Sequence, residues 1–198
     1  MGREIEIKIP LTDSEYEKIK KQICDGCEKR FVKNDEYYSR YKTRAESKAA
    51  GEPQVIRIRS EKFSDAGTDV FSELKSYFCI KRKVIENGME FNREDETFIE
   101  DANVVRDLLL FSDYYKFFEK TKNAISAFCK SDVVPEVNFH VELEIVNNLK
   151  YVEIEVTDSD KPADEVRAAL EKYVEELGLD ISRRDSRSWM EIINGSTI

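Results

Sequence analysis

The chain begins on an alternation: in MGREIEIKIP, Ile5, Ile7 and Ile9 take one phase and Glu4, Glu6 and Lys8 the other, until Pro10 ends the run. A period of two over that length predicts a β-strand with one apolar and one charged face. The pattern returns repeatedly. Phe31 to Tyr41 is aromatic and reads as a strand, and Val55 to Ser60 sets Ile56 and Ile58 against Arg57 and Arg59. A strand is expected around Val70 to Tyr77, with Glu73 and Lys75 on one face, and Ile80 to Ile85 carries Lys81 and Lys83 in phase. Asn87-Gly88 offers a hairpin turn, after which Glu90 to Phe98 puts Glu94 and Glu96 in one phase and Arg93 in the other. Tyr114 to Phe128, with Lys120 and Lys122 in phase, reads as a strand, a helix over 115–129 being the competitor. In Asn138 to Val146, Phe139, Val141, Leu143 and Ile145 oppose His140, Glu142 and Glu144. Asn147-Asn148 turns the chain into Tyr151 to Val156, whose polar face holds Glu153 and Glu155.

Helical spacing appears between these runs. Thr12 or Asp13 can cap a helix from Glu15 to Ile23, stopped at Gly26, with Leu11, Tyr16, Ile19 and Ile23 facing a sheet. Asp101 starts a second helix with Val104, Val105, Leu108 and Leu109 as its apolar stripe. Pro162 opens a third through Leu177, before Gly178. Ser186 to Ile193 forms a short helix or a closing strand, while residues 42–53 read as a polar, disordered loop with Gly and Pro. Seven or eight strands, mostly antiparallel by their short connections, with three helices between them make an α+β fold with a large sheet able to close.

The 198 residues suit a single domain with a sizeable core. Apolar content of 40% excludes disorder, and 37% charged residues is above the usual quarter or so, so the excess needs a place in the structure. The chain lacks both a membrane-length apolar run and a signal peptide's apolar core, so a soluble, cytoplasmic protein is expected. A net charge of −9 argues against a nucleic-acid partner without excluding a local cationic pocket. Cys24 and Cys27 have zinc-like spacing, but there is no second such pair and one histidine, His140. A structural role is the expectation for them.

Sorting the polar faces by sign reveals a regularity. Glu4 with Glu6, Glu94 with Glu96, Glu142 with Glu144, and Glu153 with Glu155 are acidic pairs at i, i+2. Arg57 with Arg59, and Lys120 with Lys122, are basic pairs, joined by Lys8, Lys75, Lys81 and Lys83. A solvated sheet face scatters its charges singly. If the sheet closes and the helices cover its apolar face, these charges point inward, into a lumen that stays wet or is filled by counter-charge. Clustered carboxylates suit Mg2+ or Mn2+, clustered Arg and Lys suit a polyphosphate, and a metal–polyphosphate complex would satisfy both.

At this point the residues resemble a known family. Glu4-x-Glu6-x-Lys8 looks like the signature of the CYTH domain, the triphosphate tunnel metalloenzymes. These include class IV adenylyl cyclases, thiamine triphosphatases and inorganic triphosphatases. The likeness continues, in order, through Asp35-x-Tyr37-Tyr38, Arg57-Ile58-Arg59, Glu73-Leu74-Lys75, Arg93-Glu94-Asp95-Glu96, Lys120-x-Lys122, Glu144, Val152-Glu153-Ile154-Glu155 and Ser188-Trp189, covering about residues 2 to 193.

The resemblance implies an eight-stranded antiparallel β-barrel, a tunnel with helices packed outside. It also implies a small-molecule triphosphate substrate, Mg2+ or Mn2+ as cofactor, and no membrane. Lys8, Arg57, Arg59, Lys75, Lys120 and Lys122 would hold the triphosphate oxygens. Glu4, Glu6, Glu142, Glu144, Glu153 and Glu155 would hold divalent metals, one neutralising the phosphates and another activating the attacking water. Glu4, Glu6 and Lys8 would be the catalytic group, with Glu94, Glu96, Lys81 and Lys83 as further candidates. Lys122 stands where the family usually has Arg, and the turn at Asn147-Asn148 lacks the usual glycines. The expected activity is metal-dependent hydrolysis of a triphosphate. The alternatives are cyclisation of ATP to cyclic AMP and pyrophosphate, and a non-catalytic polyphosphate or nucleotide binder. A homodimer stays open, because the helix faces decide nothing about it.

Overall fold

The computed structural model describes residues 2–23, 29–51, 55–86, 89–157 and 161–195; the side chains of Glu4 and Lys83 fall outside that description. Cys24, Cys27 and the Asn87-Gly88 turn lie outside the described residues. Eight strands are present: β1 (Gly2–Pro10), β2 (Lys29–Ser39), β3 (Val55–Asp65), β4 (Lys75–Glu86), β5 (Met89–Ile99), β6 (Tyr115–Lys130), β7 (Asn138–Val146) and β8 (Leu149–Thr157). Their order is β1-β5-β4-β3-β2-β6-β7-β8, every pairing is antiparallel, and β8 returns to β1, so the sheet is a closed barrel. Closure leaves no strand edge unpaired.

Among the described residues the helices are α1 (Asp13–Ile23), α2 (Arg44–Ala49), α3 (Ala102–Phe111), α4 (Ala163–Glu176) and α5 (Trp189–Ile193), with a 3-10 turn at Ile181–Arg183. The core lies outside the barrel. Ile5, Ile7 and Ile9 of β1 join Val141 and Leu143 of β7 and Val152 and Ile154 of β8. Over them pack Tyr16, Ile19 and Ile23 of α1 and Val166, Leu170, Tyr173 and Val174 of α4. Phe139 stacks on Tyr173 with ring centroids 4.3 Å apart and planes at 6°. Since this apolar phase is claimed by the helices, the strict period of two sends the charged phase into the lumen. β6 makes this plain: Lys120 and Lys122 are buried while Thr121 and Asn123 are exposed, the reverse of an ordinary surface strand.

Three expectations need correction. Residues 42–53 hold a helix, α2 (Arg44–Ala49), because Thr43 caps its first turn and the Glu46 side chain takes the N–H of the residue before Thr43. Glu46 N–H donates to Thr43 Oγ1 at 3.2 Å, and Glu46 Oε2 accepts from Lys42 N–H at 3.1 Å. The strand expected from Val70 to Tyr77 does not form. Gly67 takes φ +75° and Ser72 N–H donates to Phe63 C=O at 2.7 Å, so residues up to Leu74 fold back as a loop, leaving Glu73 exposed. β4 instead runs unbroken from Lys75. The α3 stripe is rotated from the expected one. Ala102, Val105 and Leu109 face Tyr38 and Ile58, and Val104 and Leu108 are left exposed. Of the two forms expected for the last segment, the short helix is the one present: Ser188 Oγ accepts from Glu191 N–H, and the Glu191 carboxylate takes the Ser188 N–H, a capping box. The Asn147-Asn148 turn survives without glycine, both residues adopting positive φ of 48° and 65°.

Candidate active site

The inward phases of all eight strands meet around a cavity of about 250 Å³. Lining it are Glu6, Glu94, Glu96, Glu142, Glu153 and Glu155 together with Lys33, Arg57, Arg59, Lys81, Lys120 and Lys122. Tyr37, His140 and Trp189 complete the wall. Acidic and basic groups are equal in number, so the lumen is balanced before any ligand enters. Lys8 and Glu6 are both buried on β1. Lys8 Nζ donates to the Arg187 carbonyl at 2.7 Å and lies 5.7 Å from the Trp189 ring centroid. Lys120 approaches the same ring at 5.8 Å, so Trp189 separates two lumen lysines at the α5 end.

Antiparallel register sets the neighbours. Lys8 lies opposite Glu153, Glu6 opposite Glu155, and Glu142 opposite Glu153. Lys122 Nζ therefore reaches three carboxylates: Glu142 Oε2 at 2.8 Å, Glu153 Oε2 at 3.7 Å, and Glu144 in direct contact. Lys33 pairs with the other oxygen of Glu142. Burial opposes the ionisation of Glu142 and Glu153, yet Lys122 outweighs it and holds both carboxyls well below the usual range. Glu144, fully buried beside the Glu153 charge, goes the other way and is pushed up to about 8.

A second group occupies the opposite wall. Arg57 donates to Glu94 at 2.9 Å and to Glu96 at 3.1 Å, and Lys81 Nζ meets Glu94 Oε1 at 2.8 Å. Glu94 and Glu96 thus face inward, in the phase where a slip of one residue would have turned them out. Arg59 engages Asp35 through both Nε and NH2, and Lys120 Nζ lies 3.0 Å from Asp35 Oδ2. Near the other end, His140 Nδ1 and Glu155 Oε1 are 2.6 Å apart, and Ser126 Oγ and His140 Nε2 also 2.6 Å. Burial disfavours charge on His140, but the Glu155 carboxylate prevails and raises its pKa.

Ligand oxygens of Glu142, Glu144 and Glu153 all lie within 4.8 Å of one another. Their chemistry, carboxylate oxygen throughout, fits a hard divalent cation. Glu144 Oε2 is buried and accepts no hydrogen bond from a donor, the kind of orphan a cation would satisfy. Cys79, Glu94 and Glu96 form a second such cluster. There burial pushes the Cys79 thiol up to about 12, keeping it protonated, and Glu94 is already held by two cations. On the cationic wall Arg57 Nε is buried without an acceptor, an N–H that fits an anion's oxygen.

Of the candidate residues, Glu6, Arg57, Arg59, Lys81, Lys120, Lys122, Glu94, Glu96, Glu142, Glu153 and Glu155 share the cavity wall, with Glu144 buried behind it. Glu4 lies on the same β1 phase, opposite Asn92 and Thr157, and Lys83 opposite Asn92. Lys75 is exposed at the rim, 6.0 Å from the Phe63 ring, and does not line the cavity. Sequence reasoning left Lys33 unassigned, and gave Asp35 and His140 no role. Lys33 and Asp35 share their inward phase in β2 with Phe31 and Tyr37, so aromatic neighbours masked the charged phase.

The fold has close structural counterparts. A protein from Pyrococcus horikoshii OT3 superposes with a TM-score of 0.72 at 20% identity, covering 97% of this chain and 98% of its own. A conserved hypothetical protein from Pyrococcus furiosus gives a TM-score of 0.68 at 20% identity, covering 95% and 98%. A Hippeastrum protein described as a candidate adenylyl cyclase with a dominant triphosphatase activity gives 0.63 at 15% identity, covering 100% and 98%. No family profile and no curated protein matches the chain. The barrel is the CYTH tunnel fold that the sequence resembles.

Proposed function

We propose that this chain is a divalent-metal-dependent enzyme of the triphosphate tunnel type that hydrolyses a phosphoanhydride bond of a triphosphate. The observation that carries this reading is a single cavity with a cationic wall, Arg57, Arg59, Lys81 and Lys120, facing the carboxylates Glu6, Glu142, Glu153 and Glu155. A pure anion binder gains nothing from so many carboxylates, which repel its ligand. A triphosphate carrying two divalent cations is close to neutral overall and can enter without upsetting the balance of charge.

In this reading Arg57, Arg59 and Lys120 hold phosphate oxygens, the arginines through planar forks and the lysine as a point charge. Entry of phosphate competes with Asp35, Glu94 and Glu96 for those donors, so the resident carboxylates keep the cations aimed and charged in the free protein. Glu142, Glu144 and Glu153, with Glu4, Glu6 and Glu155, would hold Mg2+ or Mn2+, which supplies charge neutralisation and lowers the pKa of water. His140, held between Ser126 and Glu155, is positioned to pass a proton at Nε2 or Nδ1 near the carboxylate wall.

The test is an incubation of tripolyphosphate, thiamine triphosphate and ATP, each with Mg2+, Mn2+ or EDTA, with products separated by anion exchange and Glu4→Gln and Glu153→Gln in parallel. Phosphate release that needs metal and is lost in both variants is expected. Cyclic AMP with pyrophosphate from ATP would replace hydrolysis by cyclisation. No turnover from a folded protein with any of the three would overturn the enzymatic reading.

A further inference from the structure

Past the charged layer, the inward phases change character at the end of the barrel away from Trp189. Beyond Glu96 on β5 the next inward residue is Phe98, which lies opposite Tyr77 of β4. Opposite His140 on β6 stands Phe128. Phe31 of β2 lies opposite Phe63 of β3. The rings meet in pairs: Phe31 with Phe63 at 6.0 Å, Tyr77 with Phe98 at 6.0 Å edge-on, and Phe128 with His140 at 5.0 Å. Lys33 lies 4.6 Å over Phe31, and Lys29 lies 5.0 Å over Phe63, so cations already occupy faces of that pair. Phe98 and Phe128 are 57% and 76% exposed.

At the α5 end the apolar side chains Phe118, Val146 and Tyr151 pack against Trp189, whereas the rings at the opposite mouth are left largely in water, unsatisfied apolar surface adjoining the cavity. We infer that these rings form an aromatic collar that receives the ring-bearing end of the substrate, so that the preferred triphosphate is an ester carrying a heteroaromatic group rather than bare tripolyphosphate. This rests on the phosphate chain lying in the cavity as proposed above. Glu96 and His140 line the cavity and adjoin Phe98 and Phe128, so a phosphate chain held by the cationic wall delivers its esterified end to the collar. Base–aromatic stacking tolerates any heteroaromatic ring, because every such ring has a π-face. The collar therefore selects a class and not one base.

The experiment compares ATP with tripolyphosphate on the wild type, Phe98→Ala and Phe128→Ala. It measures kcat/KM for each with Mg2+ and, where neither is turned over, equilibrium affinity by calorimetry with Mg2+ present. Both residues are exposed, so the variants should fold, which thermal melting checks. The wild type is expected to favour ATP, and each variant to lower the ATP-to-tripolyphosphate ratio by about tenfold. An unchanged ratio in both variants, or a wild type that prefers tripolyphosphate, overturns the collar. If the wild type turns over neither compound yet binds ATP more tightly, and the variants lose that preference, the collar stands and hydrolysis falls. Binding of neither compound overturns both.

Discussion

Asp35 grips Arg59 twice, with Nε donating to Oδ1 at 2.7 Å and NH2 to Oδ2 at 3.0 Å, although the two residues are 24 positions apart in the chain. Antiparallel register makes them direct neighbours across β2 and β3. Asp35 is fully buried, so the pair is a resident counter-ion for a cation aimed into the lumen. A fork held by a carboxylate is also a fork shaped for phosphate.

Asp35→Asn should leave Arg59 and Lys120 short of counter-charge and cost about 3–5 kcal/mol, measured by denaturant unfolding. Tripolyphosphate should restore more stability to the variant than it adds to the wild type, since it replaces a missing charge instead of competing with a present one. Burial alone would raise the Asp35 pKa, but Arg59 and Lys120 hold it well below the usual carboxylate range. That depressed value means its contribution is complete above about pH 4 and is lost as pH falls through the folded pKa. Equal stabilisation of both proteins by tripolyphosphate would contradict the counter-ion role.

Glu144 titrates in the opposite sense. Its carboxyl is pushed up to about 8 by burial first and by the Glu153 charge second. The folded value lies above that of an unfolded glutamate, about 4.3. The native state then binds the extra proton, so the stability due to Glu144 is whole below about pH 4 and is lost as pH rises through 8. In metal-free buffer the wild type should lose stability relative to Glu144→Gln across that window. Adding Mn2+ at pH 7 should release up to one proton from the wild type and none from the variant, as read by calorimetry in buffers of differing ionisation enthalpy.

These relationships divide into those the sequence exposes and those it conceals. The alternation of Ile5, Ile7 and Ile9 with Glu6 and Lys8 carries its own parity, so strand and apolar face were legible from one stretch, while the charged face there reads equally as a solvated one. The sign-sorted pairs pointed correctly to one shared interior, because a period of two cannot send Arg57 inward without Arg59. Which carboxylate meets which cation was not legible: Lys122 reaching Glu142, Glu144 and Glu153 depends on the register of three strands. The segment from Val70 to Leu74 looked strand-like because Val70, Phe71 and Leu74 are apolar, yet all three are exposed. Propensity there was overruled by the turn at Gly67. The Thr43 and Glu46 capping signal of α2 was present in the sequence and outweighed by the surrounding polar composition.

Trp189 is the chain's sole tryptophan, and it lines the cavity between Lys8 and Lys120. Its place depends on α5, whose first turn is fixed by Ser188. Ser188→Ala removes the Oγ acceptor for Glu191 N–H and should cost about 1 kcal/mol by denaturant unfolding. Fluorescence should report the local effect directly: emission shifts to the red in the variant, and tripolyphosphate shifts it in the wild type. Emission unresponsive to a ligand that calorimetry shows to bind would separate Trp189 from the site.

Lys122 gives the sharpest contrast between stability and chemistry. Its ammonium sits among Glu142, Glu144 and Glu153, the position a divalent cation would claim for itself. In the free protein it holds that cluster together, which is why its own pKa is raised well above the ordinary lysine value despite the opposing effect of burial. Lys122→Met should therefore destabilise the metal-free protein by about 3–5 kcal/mol, because buried carboxylates lose their counter-charge. The same change removes the positive charge that competes with metal, so Mn2+ should bind the folded variant at least tenfold more tightly and recover most of the lost stability. Turnover should nevertheless fall, since a metal that claims the carboxylates frees the Lys122 ammonium for the phosphate, as the sequence resemblance implies, and the variant lacks it. Calorimetric Mn2+ titration and phosphate release, measured on the same preparation, separate the two effects. Weaker Mn2+ binding in the variant would mean that the cation sits elsewhere in the tunnel and that Lys122 serves only to hold the carboxylates together.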